Sequence, residues 1–137
     1  MPRYLLDTNV WSVFLRGRDE NVRCRIDGSN PSDLIVCSIV RAELLHGWVR
    51  NARPAGLGES LQKLFKAFPS LAFTNKSAEQ YANIRAKLEE VGGIIGPNDI
   101  LIAAIALAHD LTLVTHNTRE FHRVINLRVE DWQQTGE

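Results

Sequence analysis

The sequence predicts an α/β fold, a parallel sheet wrapped by helices on both faces. Three observations predict it. Short apolar runs of strand type alternate with longer segments of helical period. Glycine and proline punctuation falls between those segments. Polar residues stand just past the first and fourth apolar strands, where open parallel sheets bind ligands.

Taken in order, residues 3–6 form a short apolar strand, and 8–16 a helix that Asp7 or Thr8 can cap. A polar, helix-compatible stretch at 19–28 ends in the loop Gly28-Ser29-Asn30-Pro31. Leu34-Ile35-Val36-Cys37 is a continuous apolar strand, followed by a helix over 39–52. After Pro54 and Gly56, an amphipathic helix over 57–67 carries Leu57, Leu61, Leu64 and Phe65, with Phe68 following. Leu71-Ala72-Phe73 makes a third strand, and a helix from 77 to 91 stops at Gly92-Gly93. Pro97 opens a helix running to His109, and 111–115 is the fourth strand. A short helix over 118–124 and a strand near 127–129 complete the order β-α-β-α-α-β-α-α-β-α-β.

At 137 residues the chain fits one domain, 1–137, with a real core. A hydrophobic content of 45% against 23% charged residues excludes a disordered class. No apolar run reaches membrane-spanning length, so no membrane association is expected. Met-Pro-Arg runs directly into a strand, so no signal peptide is expected either. Cys24 and Cys37 match no zinc or redox spacing, which suits a reduced cytoplasm. Zero net charge argues against coating nucleic acid by bulk electrostatics. All eight basic residues among the first 62 are arginine, the better fork for phosphate and also an ordinary surface residue.

The candidate chemistry lies in four segments. Asp7 and Asn117 follow the first and fourth strands at the same sheet edge. Asp99 lies in the first turn of the helix opened by Pro97, and Glu43 among the apolar neighbours Ile39, Val40 and Leu44. Each has a local alternative. Asp7 can be a helix cap worth roughly 1 kcal/mol. Asp99 can favour a helix dipole by about 0.3–1 kcal/mol, and Asn117 can start a turn. Glu43 can pair with Arg50 or sit on a wider polar face than the pattern suggests.

Together they imply more. Two like charges 4 Å apart repel by about 4 kcal/mol at an effective dielectric near 20. Clustered carboxylates therefore protonate or recruit a cation. Oxygen ligands select hard ions, Mg²⁺ with Mn²⁺ as a substitute, over zinc. His46, His109, His116 and His122 have no zinc-site spacing, and Glu43-x-x-His46 is half of a di-iron motif without its second copy.

Leu6-Asp7-Thr8-Asn9-Val10, Arg41-Ala42-Glu43-Leu44, Asn98-Asp99-Ile100-Leu101-Ile102-Ala103-Ala104 and Leu113-Val114-Thr115-His116-Asn117-Thr118-Arg119-Glu120-Phe121 resemble, in order and spacing, the four signatures of PIN-domain ribonucleases. The resemblance is closest to VapC-type toxins. It implies a three-layer α/β/α sandwich with a central parallel sheet, and an Mg²⁺-dependent endoribonuclease acting as toxin of a toxin–antitoxin pair. It also implies a VapB-type antitoxin that occludes the site, a homodimer, and structured RNA, often tRNA, as substrate. Asp7, Glu43 and Asp99 match the three acidic, metal-holding positions. Asn117 stands where many relatives carry a fourth aspartate, and Glu120 is a source for the missing charge. Thr8, Asn9 and Thr115 match polar positions that orient carboxylates or water. Arg41 and Arg119, beside these residues, are candidates for RNA phosphate. The chemistry expected is attack by metal-activated water, leaving 5′-phosphate and 3′-hydroxyl ends.

Two other aspartate-centred folds fit less well. A haloacid-dehalogenase-type phosphatase needs a second aspartate where Asn9 stands. A receiver domain needs a late lysine, and the last one here is Lys87. A catalytically degenerate PIN-like module that only binds RNA or protein is the remaining alternative. Trp11, Val13, Phe14 and the apolar residues from Leu57 to Phe68 are expected to pack the core, with some left for a partner groove.

Overall fold

Tyr4-Leu5-Leu6 forms β1, the middle strand of the sheet, and Leu5 and Leu6 are completely buried. The structure is a computed structural model that describes residues 2–133. Five parallel strands run in the order β3-β2-β1-β4-β5: β2 (Leu34–Cys37), β3 (Ser70–Leu71), β4 (Thr112–Val114) and β5 (Val129–Glu130). Leu5 lies opposite Ile35 on one side and Leu113 on the other. The inner strands β1, β2 and β4 are mainly apolar because helices cover both faces of the sheet.

The connecting helices are α1 (Thr8–Arg16) and α2 (Glu20–Asp27) between β1 and β2, then α3 (Ser38–Arg50) and α4 (Ala55–Ala67) between β2 and β3. They are followed by α5 (Asn75–Glu90), α6 (Pro97–Ala108) and the short α7 (Thr118–Phe121). Helical crossovers send the chain outward through β2 and β3, then back across β1 to β4. The direction of winding therefore reverses between β1 and β4. Their carboxyl ends form the crevice in which such sheets bind ligands.

Several elements differ from the sequence expectation, each for a local reason. The 20–27 stretch is a full helix, with Asp19 accepting from the Val22 N–H at 3.1 Å and with Val22 and Ile26 buried one turn apart. Helix α4 begins at Ala55, because Pro54 at its cap position presets the first turn and Gly56 is absorbed within it. β3 stops at Leu71 because the Phe73 N–H turns to the Ser38 hydroxyl at 3.2 Å instead of continuing the ladder. α5 starts at Asn75, capped by Thr74, and α7 ends at Phe121 in a run of turns. β5 is displaced to Val129–Glu130 by its register, Leu113 opposite Val129.

The apolar side chains proposed for a groove divide. Trp11, Leu61 and Leu64 are core, whereas Val13, Phe14, Leu57, Phe65 and Phe68 are only partly buried against it. Helix α6 is buried along most of its length, with alanines at 103, 104, 106 and 108 allowing close approach of its neighbours. Its first turn reaches the crevice, and that placement brings Asp99 to the carboxyl edge of the sheet.

Candidate active site

Asp7 occupies the first position beyond β1. Its N–H donates to the Val114 carbonyl at 3.0 Å, so β1 and β4 stay paired up to the crevice. One carboxylate oxygen accepts from the Val10 N–H at 3.0 Å, and the other accepts the Thr115 hydroxyl at 2.5 Å. The residue is thus a helix cap and a crevice carboxylate at once. At 6% exposure, burial pushes its pKa above the usual carboxylate range. The Thr115 and Val10 hydrogen bonds oppose that rise, and the negative charge of Glu43 adds to it.

Glu43 stands on α3 at the edge of the apolar face, half-buried, so the polar face is wider than the sequence pattern suggests. Its carboxylate accepts the Thr8 hydroxyl at 2.5 Å and the Asn98 amide at 3.3 Å. The alternative pairing with Arg50 does not form among the described residues.

Asp99 is the exposed nerve of the group. Among the described residues its carboxylate has no hydrogen-bond or ion-pair partner, although it is half-buried. Its pKa is raised to about 6, first by burial and then by the charges of Glu120, Glu43 and Asp7. Gly96 makes room for it, since a Cβ there would lie 3.3 Å from its Oδ2.

Glu120 extends from α7 toward the same charges, and the Asn117 side-chain amide donates to it at 3.0 Å. Asn117 does not cap α7 with its side chain. Its backbone N–H donates to the Thr115 hydroxyl oxygen at 3.0 Å, and that hydroxyl in turn serves Asp7. A continuous chain of hydrogen bonds therefore links the ends of β1, β4 and α7.

Three carboxylates, Asp7, Glu43 and Glu120, thus lie within electrostatic reach of a fourth, Asp99. None of the ion pairs among the described residues involves them. Nor do three described His, Cys, Asp or Glu side chains converge into a ready-made metal cage. Glu43 is turned to Thr8 and Asn98, and Glu120 to Asn117. The donor set is all oxygen and short of positive charge, which suits a hard divalent ion and not zinc.

The remaining candidates are more peripheral. Asn9 is exposed and contributes its backbone N–H to Asp7. Arg41 lies over the Phe65 ring at 4.2 Å, while Arg119 is exposed on α7. Two residues have places the sequence reading did not give them: Asn98, quoted there only within a signature, donates to Glu43, and Arg50, expected as a possible ion-pair partner, lines the cleft beyond Glu43. Asn98 neighbours Asp99, and Arg50 lies at i+7 from Glu43, so helical periodicity held a signal for both. A separate hollow of about 410 Å³ between α5 and the 123–126 turn contains Lys87 and Arg123 but no carboxylate, and lacks the chemistry described above.

Residues 4–127 match the PIN domain family. The chain belongs to that family. This PIN domain is 36% identical over 132 residues to ribonuclease VapC2 of Haemophilus influenzae, covering 96% of this chain and 99% of that protein. It is 31% identical to the tRNA(fMet)-specific endonuclease VapC of Salmonella typhimurium, covering 96% and 99% respectively. Among solved structures it matches a chain of VapBC2 from Rickettsia felis, a complex bound to a DNA fragment from the promoter, with a TM-score of 0.88 and 31% identity. That match covers 95% of this chain and 98% of the other. The PIN domain described here is therefore a nuclease of the VapC type.

Proposed function

We propose that this PIN domain is a Mg²⁺-dependent endoribonuclease, the toxin of a toxin–antitoxin pair, with Mn²⁺ able to replace Mg²⁺. One observation carries the reading. Four carboxylates border the β1–β4 crevice with no ion-pair partner among the described residues, and the half-buried Asp99 has no hydrogen-bond partner among them either. Asp7, Glu43 and Asp99 are the residues that would hold the ion, with Glu120 supplying the charge that Asn117 lacks. A divalent ion bound there supplies charge to a phosphodiester oxygen and lowers the pKa of a water.

The chain's own residues supply orientation. Thr115 fixes Asp7, Thr8 and Asn98 fix Glu43, and Asn117 fixes Glu120. Glu43 and Glu120 would rotate from these partners toward the ion, since no preformed cage exists among the described residues. The relative named for tRNA(fMet) makes structured RNA, and tRNA first, the substrate class to test.

The partner reading has its own support. A cleft of about 440 Å³ between α1, α3 and α4 runs from Thr8 and Glu43 past Leu15, Trp48, Leu57 and Leu61. An antitoxin segment laid along those apolar side chains would end over the carboxylates, and the matched Rickettsia felis chain comes from a VapBC complex. Homodimerisation in the cytoplasm completes the reading. No helix among the described residues is long and apolar enough to cross a membrane.

The test is cleavage of bulk tRNA and of total RNA by the purified, antitoxin-free protein, with Mg²⁺, with Mn²⁺ and with EDTA, beside Asp7→Asn. Asparagine still caps α1, so the variant should fold. Cleavage should require the ion and Asp7, and leave 5′-phosphate ends. Full activity in EDTA, or 2′,3′-cyclic phosphate products, would sink the proposal.

A further inference from the structure

We propose that the open groove along α3, lined by Glu43, His46, Gly47, Arg50 and Asn98, is a subsite for an RNA backbone phosphate flanking the cut, with Arg50 as its anion-binding group. The inference rests on the ribonuclease reading and deepens it. The groove encloses about 490 Å³ and begins at Glu43 itself, so a phosphodiester held at the carboxylates continues into it.

Its geometry follows from the helix. Glu43, Gly47 and Arg50 lie at i, i+4 and i+7, along one face of α3. Arg50 is about 10.5 Å from Glu43 along the axis, too far to neutralise it and far enough to address a neighbouring phosphate. Most other arginines are engaged. Arg23, Arg25, Arg85 and Arg128 are in ion pairs, and Arg41 and Arg53 lie over aromatic rings. Arg50 is exposed and, among the described residues, has neither kind of partner.

Gly47 is the second observation. Glycine inside a helix costs about 1 kcal/mol relative to alanine. No packing reason offsets that cost, because a Cβ at Gly47 would meet nothing within 4 Å. What glycine does there is keep the floor of the groove open between the carboxylate and the arginine. Thr8, Arg50 and Asn98 line this groove beside Glu43, with His46 the ring among them, so it offers a backbone phosphate a cation and hydrogen-bond donors. The cleft on the other flank of Glu43 shares Gly47 and Arg50 with this groove and adds Leu15, Trp48, Leu57 and Leu61, the side chains that suit a protein segment.

The experiment measures binding of bulk tRNA to full-length protein carrying Asp7→Asn, across a salt series. Adding Arg50→Ala should weaken binding roughly tenfold and make log K against log salt shallower by about one. Arg50→Lys should keep the salt slope. Gly47→Leu, which fills the groove and leaves the charge, should weaken binding while keeping the slope. Arg85→Ala, an exposed arginine on α5, is the control for lost surface charge and should change neither. In the cleaving protein, Arg50→Ala should raise KM and leave kcat nearly unchanged. Unchanged affinity and slope with both Arg50→Ala and Gly47→Leu would overturn the inference. So would an Arg50→Ala defect confined to a protein partner. Failure of the wild-type protein to cleave any RNA with Mg²⁺ or Mn²⁺ would instead overturn the ribonuclease reading, since the binding comparison involves no cleavage.

Discussion

Beside β5, Asp110 meets Arg128 at 2.9 Å, Glu130 meets Arg25 at 3.3 Å, and Asp131 faces the His116 ring at 2.9 Å. A few residues away in the fold, Asp7, Glu43 and Glu120 have hydroxyls and amides as their side-chain partners, and Asp99 has none. The outer set is acid matched to base. Such exposed pairs contribute about 0–1 kcal/mol each. The inner set is acid held next to acid, and its repulsion is retained although arginine is plentiful in this chain. The difference is the one expected if the two sets have different tasks: the acids at the sheet edge are paired locally, and the acids proposed to hold an ion are not.

The largest effect that would break this contrast is at Asp99. Asp99→Asn should lower cleavage about a thousandfold, the several kcal/mol that metal charge supplies in such reactions. The same substitution should make the metal-free protein more stable, raising Tm in EDTA at pH 7.5 by roughly 2–4 °C. The sign follows from linkage. Asp99 has a folded pKa of about 6, above its ordinary 3.8, so between those values the folded protein holds a proton that the unfolded chain has lost. Stability in EDTA therefore falls as pH rises from about 4 to about 6, and the advantage of asparagine should vanish near pH 4. A Tm of Asp99→Asn below that of wild type at pH 7.5 in EDTA would contradict the repulsion argument.

Next in size is the ion itself. Mg²⁺ at 100 times its Kd should stabilise the wild type by about 2.7 kcal/mol, and Asp99→Asn far less. That stabilisation should fade as pH drops through 6, because Asp99 must lose its proton to bind. Calorimetric titration at pH 5 and pH 7.5 would measure it. A smaller effect is expected at Asn117, whose amide holds Glu120. Asn117→Ala should reduce cleavage about tenfold without unfolding the protein. The smallest lies in the outer set, where Arg128→Ala should cost less than about 1 kcal/mol by chemical denaturation and leave cleavage unchanged.

Much of the fold was legible because β1, β2 and β4 are apolar on both faces and short, which separates them from the longer periodic helices. The misjudged segments depend on contacts that periodicity does not record. Helix α2 needs Val22 and Ile26 to find a core, and β3 is cut short by a hydroxyl 35 residues away in sequence. At the site, the placement of Asp7, Asp99 and Glu120 could be anticipated from strand ends and first turns, and that of Glu43 from its apolar neighbours on a helix face. Their hydroxyl and amide partners could not. Thr8 reaches Glu43 across 35 residues and Asn98 reaches it across 55. The part played by Asn117 was hidden for a different reason: its partner Glu120 is only three residues on, but the bond forms because α7 turns Glu120 back toward it.

The bond between Thr115 and Asp7 spans 108 residues, and the sheet places the strand synthesised first against one synthesised nearly last. A crevice assembled from residues 7 to 120 has no partial form, because the β1–β4 register that creates it is a late, non-local closure. On the ribonuclease reading, a nascent polypeptide that lacks β4 should lack the assembled crevice as well. A ribosome-bound chain stalled before residue 111 should be protease-sensitive and unable to cut RNA, and the toxin should come into being only when β4 slots in beside β1.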